Sequence, residues 1–325
     1  MSLYICTFVW NFRIINVIYD SGKVGKMSLV FIIIVNYNAY KDTIECVKSL
    51  RKISYKNYKV IIVDNASTDE SVARINDKLK DCILLRSMKN LGFAGGNNIG
   101  MRYALEKGAD YVLLLNNDTL VERDFLSNML VPFSRNTSIG MVGCKIMYYP
   151  EVTKIWFGGG KIDWFKFIGT HFGMREIDNG QCDDEKEIDF MTGCCILVKR
   201  KVIEKVGPLS EEYFMYFEDV DFCVRVKECG YMIWYEPKAV IYHKVGLSGG
   251  GEESAFSIRW CTRNRVLFMN KNRKRVGYFK FILSKAFFYF TRIIRYIQYY
   301  FTGNKEKAYA IVHGIRNNMN LNNKI

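Results

Sequence analysis

Four short polar stretches hold the side chains in this sequence that could do chemistry. They are Asn36 with Asn38, the run from Asp64 to Asp69, Asn116-Asn117-Asp118, and Glu218-Asp219-Val220-Asp221. Carboxylate oxygen is what a hard divalent cation prefers, and such an ion often takes few protein ligands and completes its shell with substrate phosphates. A carboxylate within hydrogen-bond reach of a hydroxyl can take its proton as that oxygen attacks. Phe214 and Phe217 precede Glu218 and Asp219 and suggest a buried setting, which raises a carboxylate pKa. Three of the stretches also have a plain structural reading. Asp64 can form an Asx-turn, Asp118 can cap a helix near residues 121–125, and acids at 218–221 suit a helix N-terminus. Residues 90–100 (NLGFAGGNNIG) are glycine-rich and lead into a helix, where main-chain N–H groups can approach ribose and phosphate. They do not spell G-x-G-x-x-G, so a nicotinamide site is poorly supported.

The elements that must position these residues alternate between strand and helix. Residues 29–35 (LVFIIIV), 58–63 (YKVIIV) and 111–115 (YVLLL) are continuous apolar runs, as in strands buried on both faces, and 82–86 is a shorter one. Helical spacing covers 42–53, about 69–79, and 95–107, with Ser67 able to cap the second helix and Gly108 stopping the third. Four buried strands alternating with helices predict a doubly wound α/β layer with right-handed crossovers. Ligands in such sheets bind outside the carboxyl ends of the strands, where the polar stretches lie. The spacing alone points to a nucleotide-type pocket. Beyond residue 142 the elements shorten. Strands are expected at 190–199, 232–235 and 239–242, and helices at 202–206 and 219–228. This half should extend the sheet and build an acceptor side rather than form an independent domain.

Seven motifs occur in order: VNYN (35–38), VDNASTD (63–69), NLGFAGGNNIG (90–100), LLLNNDT (113–119), TG (192–193), FMYFEDVDFCVR (214–225) and IYH (241–243). Together they resemble family 2 glycosyltransferases, especially the rhamnosyltransferase-like branch, over roughly residues 28–270. The resemblance implies the α/β GT-A fold of nucleotide-diphospho-sugar transferases, with a doubly wound mixed sheet. It implies an inverting transfer without a covalent intermediate, a dTDP- or UDP-linked sugar donor, possession of Mg2+ or Mn2+ as cofactor, and rhamnose as a candidate sugar. A departing diphosphate gathers negative charge, which a metal neutralises as a Lewis acid.

The same resemblance implies roles for individual residues. Asp118 and His243 would be metal ligands, with Asn117 and Asp118 at the donor. Relatives often carry D-x-D here, whereas Asn116-Asn117-Asp118 keeps only the last acid. Asp64 would accept a hydrogen bond from a pyrimidine N–H, beside Asn36 and Asn38, and Asn97 would contact the donor. Asp219 would be the base, with Glu218, Thr192 and Gly193 on the acceptor side and Asp221 pointing elsewhere. An arginine among Arg259, Arg263 and Arg265, following the glycine-rich stretch 246–251, would meet the diphosphate. The acceptor implied is a glycan or lipid-linked glycan in cell-surface polysaccharide assembly. The alternative is a catalytically inactive nucleotide-sugar-binding homologue that acts as a membrane-associated interaction module, an idea prompted by the reduced Asn-Asn-Asp triplet.

Charge divides the chain differently. The net formal charge is +14, yet residues 259–325 carry 15 basic side chains against one acid, Glu306, and the preceding 258 residues balance. That placement argues against a uniformly basic protein wrapped in nucleic acid, and no recognisable nucleic-acid module accompanies it. Residues 279–301 put Phe279, Ile282, Leu283, Ala286, Phe287, Phe290, Ile293, Ile294, Ile297 and Phe301 on one helical face. Lys280, Lys285, Arg292 and Arg295 fall on the other, which Phe281, Phe288 and Tyr299 interrupt. The expectation is a basic, aromatic-rich helical tail on an anionic membrane surface, without a membrane span. A helix packed on the catalytic body, its basic face solvated, is the other reading. The expected division is a non-core N-terminal extension (1–27), a GT-A domain (28–270) and the tail (271–325). Ten scattered cysteines without a C-x-x-C pair read as reduced thiols in a cytoplasmic protein, and the tail together with the implied lipid-linked acceptor adds a peripheral place on the inner face of the cell membrane.

Overall fold

The computed structural model describes residues 27–245 and 253–322. The expected N-terminal extension through residue 26 and the glycine-rich stretch 246–251 lie outside the described residues. The first elements in chain order are β1 (Val30–Asn36), α1 (Tyr40–Leu50), β2 (Tyr58–Asp64), α2 (Ser71–Lys78), β3 (Ile83–Arg86), α3 (Gly92–Glu106) and β4 (Tyr111–Leu115). There follow β5 (Thr119–Val121), α4 (Phe125–Arg135), β6 (Ile139–Tyr148), β7 (Ile155–Phe157), β8 (Gly160–Asp163), β9 (Ile168–His171), β10 (Lys186–Glu187) and β11 (Cys195–Lys199). The chain continues as α5 (Arg200–Val206), α6 (Glu218–Glu228), β12 (Met232–His243), α7 (Ala255–Lys271), α8 (Tyr278–Phe301) and α9 (Lys305–Asn322).

One mixed sheet runs in the order β10-β12-β6-β11-β4-β1-β2-β3. The first-half strands β3, β2, β1 and β4 are parallel, as their unbroken apolar runs require, and β1 is buried on both faces. β11 then pairs antiparallel with both β4 and β6, and β12 runs parallel to β6. The second half does extend the first sheet. The helix α3 lies very close to it. A methyl group on Gly96 would meet Val35 Cγ1 at 2.9 Å, and one on Gly100 would meet Ile33 Cγ2 at 2.5 Å. Two glycines one turn apart therefore bring the helix backbone down onto β1.

Some expectations need correction. Ser67 does not cap α2. Its hydroxyl accepts from the Asn38 N–H and the Asn36 amide, and the helix begins later, where Asp69 Oδ1 accepts from Ser71 N at 3.0 Å. The strand expected at 190–199 starts only at Cys195, because residues 192–194 turn through a loop. The two strands expected at 232–235 and 239–242 are one, β12, with a register shift between Glu236 and Val240 where Pro237 interrupts the pattern.

The tail helix packs the opposite way round from the solvated-basic-face reading. Ser284, Phe288 and Tyr299 are buried and Phe281 is half-buried, with its ring edge-on to Phe167 of the β8–β9 turn. The guanidinium groups of Arg265 and Arg292 sit over the Phe288 ring at 5.1 and 5.7 Å. The ten-residue apolar face points outward instead, with Phe279 76%, Phe290 61% and Phe301 82% exposed. The three aromatics that interrupt the polar face are the ones the body covers. α9 packs against α7 and α8 through Ala308 and Ile311, which meet Ile258 and Tyr299.

Candidate active site

The carboxyl ends of the parallel strands assemble a polar edge. β1 and β2 are in register to their last residues, so Asn36 lies opposite Asp64. Asn36 Nδ2 donates to Asp64 Oδ1 at 3.1 Å, and Ser67 N donates to Asp64 Oδ2 at 3.1 Å. Each carboxylate oxygen keeps a second lone pair, so Asp64 can accept another N–H. Thr43 Oγ1 donates to Asn36 Oδ1 at 2.8 Å and accepts from Asn117 Nδ2 at 3.2 Å, which links the ends of β1 and β4. Asn38, at φ 51°, accepts from Thr68 N at 2.8 Å and pins the 66–69 turn over the edge. Asn97 is buried inside α3 and donates to Phe93 O at 2.9 Å, so its amide serves its own helix.

Asp118 follows β4, and the strand β5 comes directly after it. The next helix, α4, starts at Phe125, so Asp118 does not cap it. β12 pairs antiparallel with β5 and sets His243 opposite Thr119. His243 Nε2 then lies 3.1 Å from Asp118 Oδ1, both side chains buried, with the Trp156 ring edge-on to the imidazole at 4.6 Å. A hard oxygen beside an imidazole nitrogen suits a divalent ion that takes its other ligands from substrate. Among the described residues no group of three or more His, Cys, Asp and Glu side chains could hold a metal by itself.

The antiparallel β11 brings a second acid to the same edge. Its first residue, Cys195, faces the last residue of β4, Leu115, and Asn116 N donates to Cys194 O at 2.9 Å. Thr192 and Gly193 thus border the end of β4. Gly193 N donates to Asp219 Oδ2 at 2.9 Å, while Asp219 Oδ1 takes the Val220 N–H at 2.8 Å. Burial pushes the Asp219 pKa up, and these backbone N–H groups work against that rise. Glu218 is buried, and burial followed by the neighbouring Asp219 charge pushes its pKa well above the usual range. Burial thus favours the protonated form of both acids. Asp221 does point elsewhere, accepting from Arg225 Nε at 2.8 Å and the Tyr213 hydroxyl at 3.2 Å.

The model of the glycosyl transferase family 2 matches residues 31–207, more than half of the chain. This chain belongs to glycosyltransferase family 2. The low-salt glycan biosynthesis hexosyltransferase Agl10 of Haloferax volcanii is 27% identical, over 78% of this chain and 80% of the relative. The dTDP-rhamnosyl transferase RfbF of Shigella flexneri is 24% identical, over 67% and 70%. Among solved structures, the mannosyltransferase PcManGT from Pyrobaculum calidifontis, in complex with GDP-Man and Mn2+, superposes with a TM-score of 0.56 at 15% identity, over 89% of this chain and 86% of that one. The family 2 chain is rhamnosyltransferase-like, and its mixed sheet is a GT-A fold.

Two arginines of this family 2 protein are committed to protein partners. Arg263 Nη1 donates to Glu212 O at 2.6 Å, and Arg265 Nε donates to Lys166 O at 2.6 Å, while burial lowers the Arg265 pKa to about 10. Arg259 is exposed, its guanidinium 5.8 Å from the Trp260 ring centroid. Sequence reasoning missed Asn65. Its side chain donates to Gly92 O at 2.9 Å and accepts from Leu91 N at 3.0 Å, tying the start of α3 to the end of β2. Its position next to Asp64 in the VDNASTD motif was the available signal.

Proposed function

We propose that this family 2 transferase inverts the anomeric centre of a nucleotide-diphosphate sugar while moving that sugar to a glycan or lipid-linked glycan, in assembly of a cell-surface polysaccharide. The single observation that supports this best is the convergence of two acids on one sheet edge: Asp118 against His243, and Asp219 against the Gly193 N–H. In this reading Asp64, Asn36 and Asn38 hold the base of the donor, and Asn97 and Asn117 line the donor side. Asp118 and His243 hold Mg2+ or Mn2+, which supplies Lewis-acid neutralisation of the diphosphate when bound. The acceptor oxygen attacks the anomeric carbon as the bond to the diphosphate breaks. Asp219 takes the hydroxyl proton, while Thr192, Gly193 and Glu218 shape the acceptor side. Burial raises the Asp219 pKa, which suits a group that must take a proton. The rhamnosyltransferase relatives support rhamnose, from a dTDP- or UDP-linked donor.

We read residues 28–270 as the catalytic domain and 271–325 as a tail that rests on an anionic membrane surface, on the cytoplasmic side. The outward apolar face of α8 supports this, flanked by exposed Lys280 and Arg295. No described helix is long and apolar enough to cross a membrane. Calorimetric titration with Mn2+ and UDP or dTDP, followed by a donor screen read as nucleotide release, tests the enzyme reading. Absence of metal-dependent nucleotide binding would sink it. Binding without release across donors and acceptors would favour the interaction module.

A further inference from the structure

The backbone that leads into Asp219 passes through a conformation that bulky side chains seldom adopt. Phe214, Tyr216 and Phe217 have φ of 63°, 68° and 75°. Such residues persist only where their surroundings over-determine them. Phe217 immediately precedes α6, so this bend sets the direction in which Glu218 and Asp219 leave it.

The bend is held from two helices. From α3, Ala94 N donates to Phe214 O at 3.3 Å. From α7, Trp260 stacks on Phe214 with ring centroids 4.7 Å apart and planes at 21°. One turn further along α7 lies Asn264, fully buried. Its side-chain amide donates to the carbonyl oxygens of Tyr213, Met215 and Tyr216 at 2.7, 2.8 and 2.8 Å. Buried carbonyls require a donor, and here the two N–H bonds of one amide are shared among three of them. Arg263 fixes which way that amide faces, because its Nη1 donates to Asn264 Oδ1 at 2.6 Å.

We propose that Asn264 is a positioning residue for the transfer reaction, clamping the 213–217 bend so that Asp219 faces Gly193 at the acceptor edge. The inference rests on Asp219 being the base. Asn264 acts only through the bend. Without its amide, three carbonyls lose a donor beside strained backbone, and the bend relaxes away from positive φ.

The test uses full-length Asn264→Ala and Asn264→Ser, with Asp219→Asn measured alongside. Hydrogen exchange across residues 213–221 is read by mass spectrometry, with and without Mn2+ and UDP. Donor KM and kcat are then measured separately with the nucleotide sugar that scores in the donor screen. The clamp predicts faster exchange confined to 213–221 and kcat lower by about 10- to 100-fold in the alanine variant, the scale of a small misplacement of a reacting group. Donor KM should stay within about threefold, and serine, with one donor, should fall between. Unchanged local exchange or unchanged kcat overturns the clamp. So does a loss of kcat and KM together with faster exchange throughout both variants, which marks a purely structural residue. If Asn264→Ala does not fold, the serine variant decides by the same measurements. An active Asp219→Asn variant would instead remove Asp219 from the mechanism, an outcome separate from failure of the clamp.

Discussion

The sheet edge buries charge, whereas the tail helix exposes hydrocarbon. Asp64, Asp118 and Glu218 are each at most 4% exposed, while the rings of Phe279, Phe290 and Phe301 stand mostly in solvent. Both regions depart from the ordinary partition of side chains. They differ in how the departure is resolved. At the edge, partners lie within the molecule: Asn36 and the Ser67 N–H for Asp64, and His243 for Asp118, while burial raises the Glu218 pKa. On α8, most of the outward face stands in solvent, with Phe165 meeting it at Phe287. A misplaced charge that has been given partners marks chemistry, and an uncovered apolar stripe marks something outside the chain.

The largest test strikes the acid pair. Asp219→Asn should lower transfer by about 10³-fold, within the range of general-base catalysis, and leave Mn2+-dependent UDP or dTDP binding intact. In the unaltered protein, the acid limb of kcat/KM should lie above the pKa of an exposed aspartate, because burial raises the Asp219 pKa. A limb below that value would count against Asp219. Next comes the Asp118–His243 pair: His243→Ala should weaken metal-dependent nucleotide binding by about 10- to 100-fold, read by calorimetry.

The tail is tested by substitution rather than truncation, because α9 covers part of α7. Phe279→Ser, Phe290→Ser and Phe301→Ser together should reduce sedimentation with anionic vesicles by about 10-fold or more, with an unchanged Tm, since each lost ring removes apolar area from the lipid. Vesicle binding that survives would break the comparison at its second half.

The smallest effect concerns Glu218. Its folded pKa is raised, so the native state holds that proton more tightly than the unfolded chain. The stability it contributes is present below the ordinary carboxylate range and fades as pH rises through the raised value. Glu218→Gln mimics the neutral form. Its Tm at neutral pH should rise by roughly 2 °C, the shift of about 1 kcal/mol in a domain of this size, with a flatter pH dependence. A Tm that falls, measured by scanning calorimetry, contradicts a raised Glu218 pKa.

The parallel half of the fold was legible because strands buried on both faces leave unbroken apolar runs, as in β1, β2 and β4. β12 was split in the reading because Pro237 and the register shift interrupt the pattern. At the site, the motif positions fell where the sheet gathers its strand ends, and Asp118, His243 and Asp219 all reached the same edge. Asn264 was invisible, since its three carbonyl partners lie 48 to 51 residues away and leave no local signature. Periodicity drew both faces of α8 correctly but could not tell which one the body would cover. That choice was made by Ser284, Phe288 and Tyr299, which are too few to register in a periodic signal.

The glycines of α3 have a consequence for how this protein can vary. With Gly96 and Gly100 seated on β1, a single added carbon in either place collides with the strand that ends in Asn36. Variants have least room for added bulk in the gap between helix and sheet at these two positions, so the side chains that rim the edge are the places to begin when redirecting the protein to another substrate.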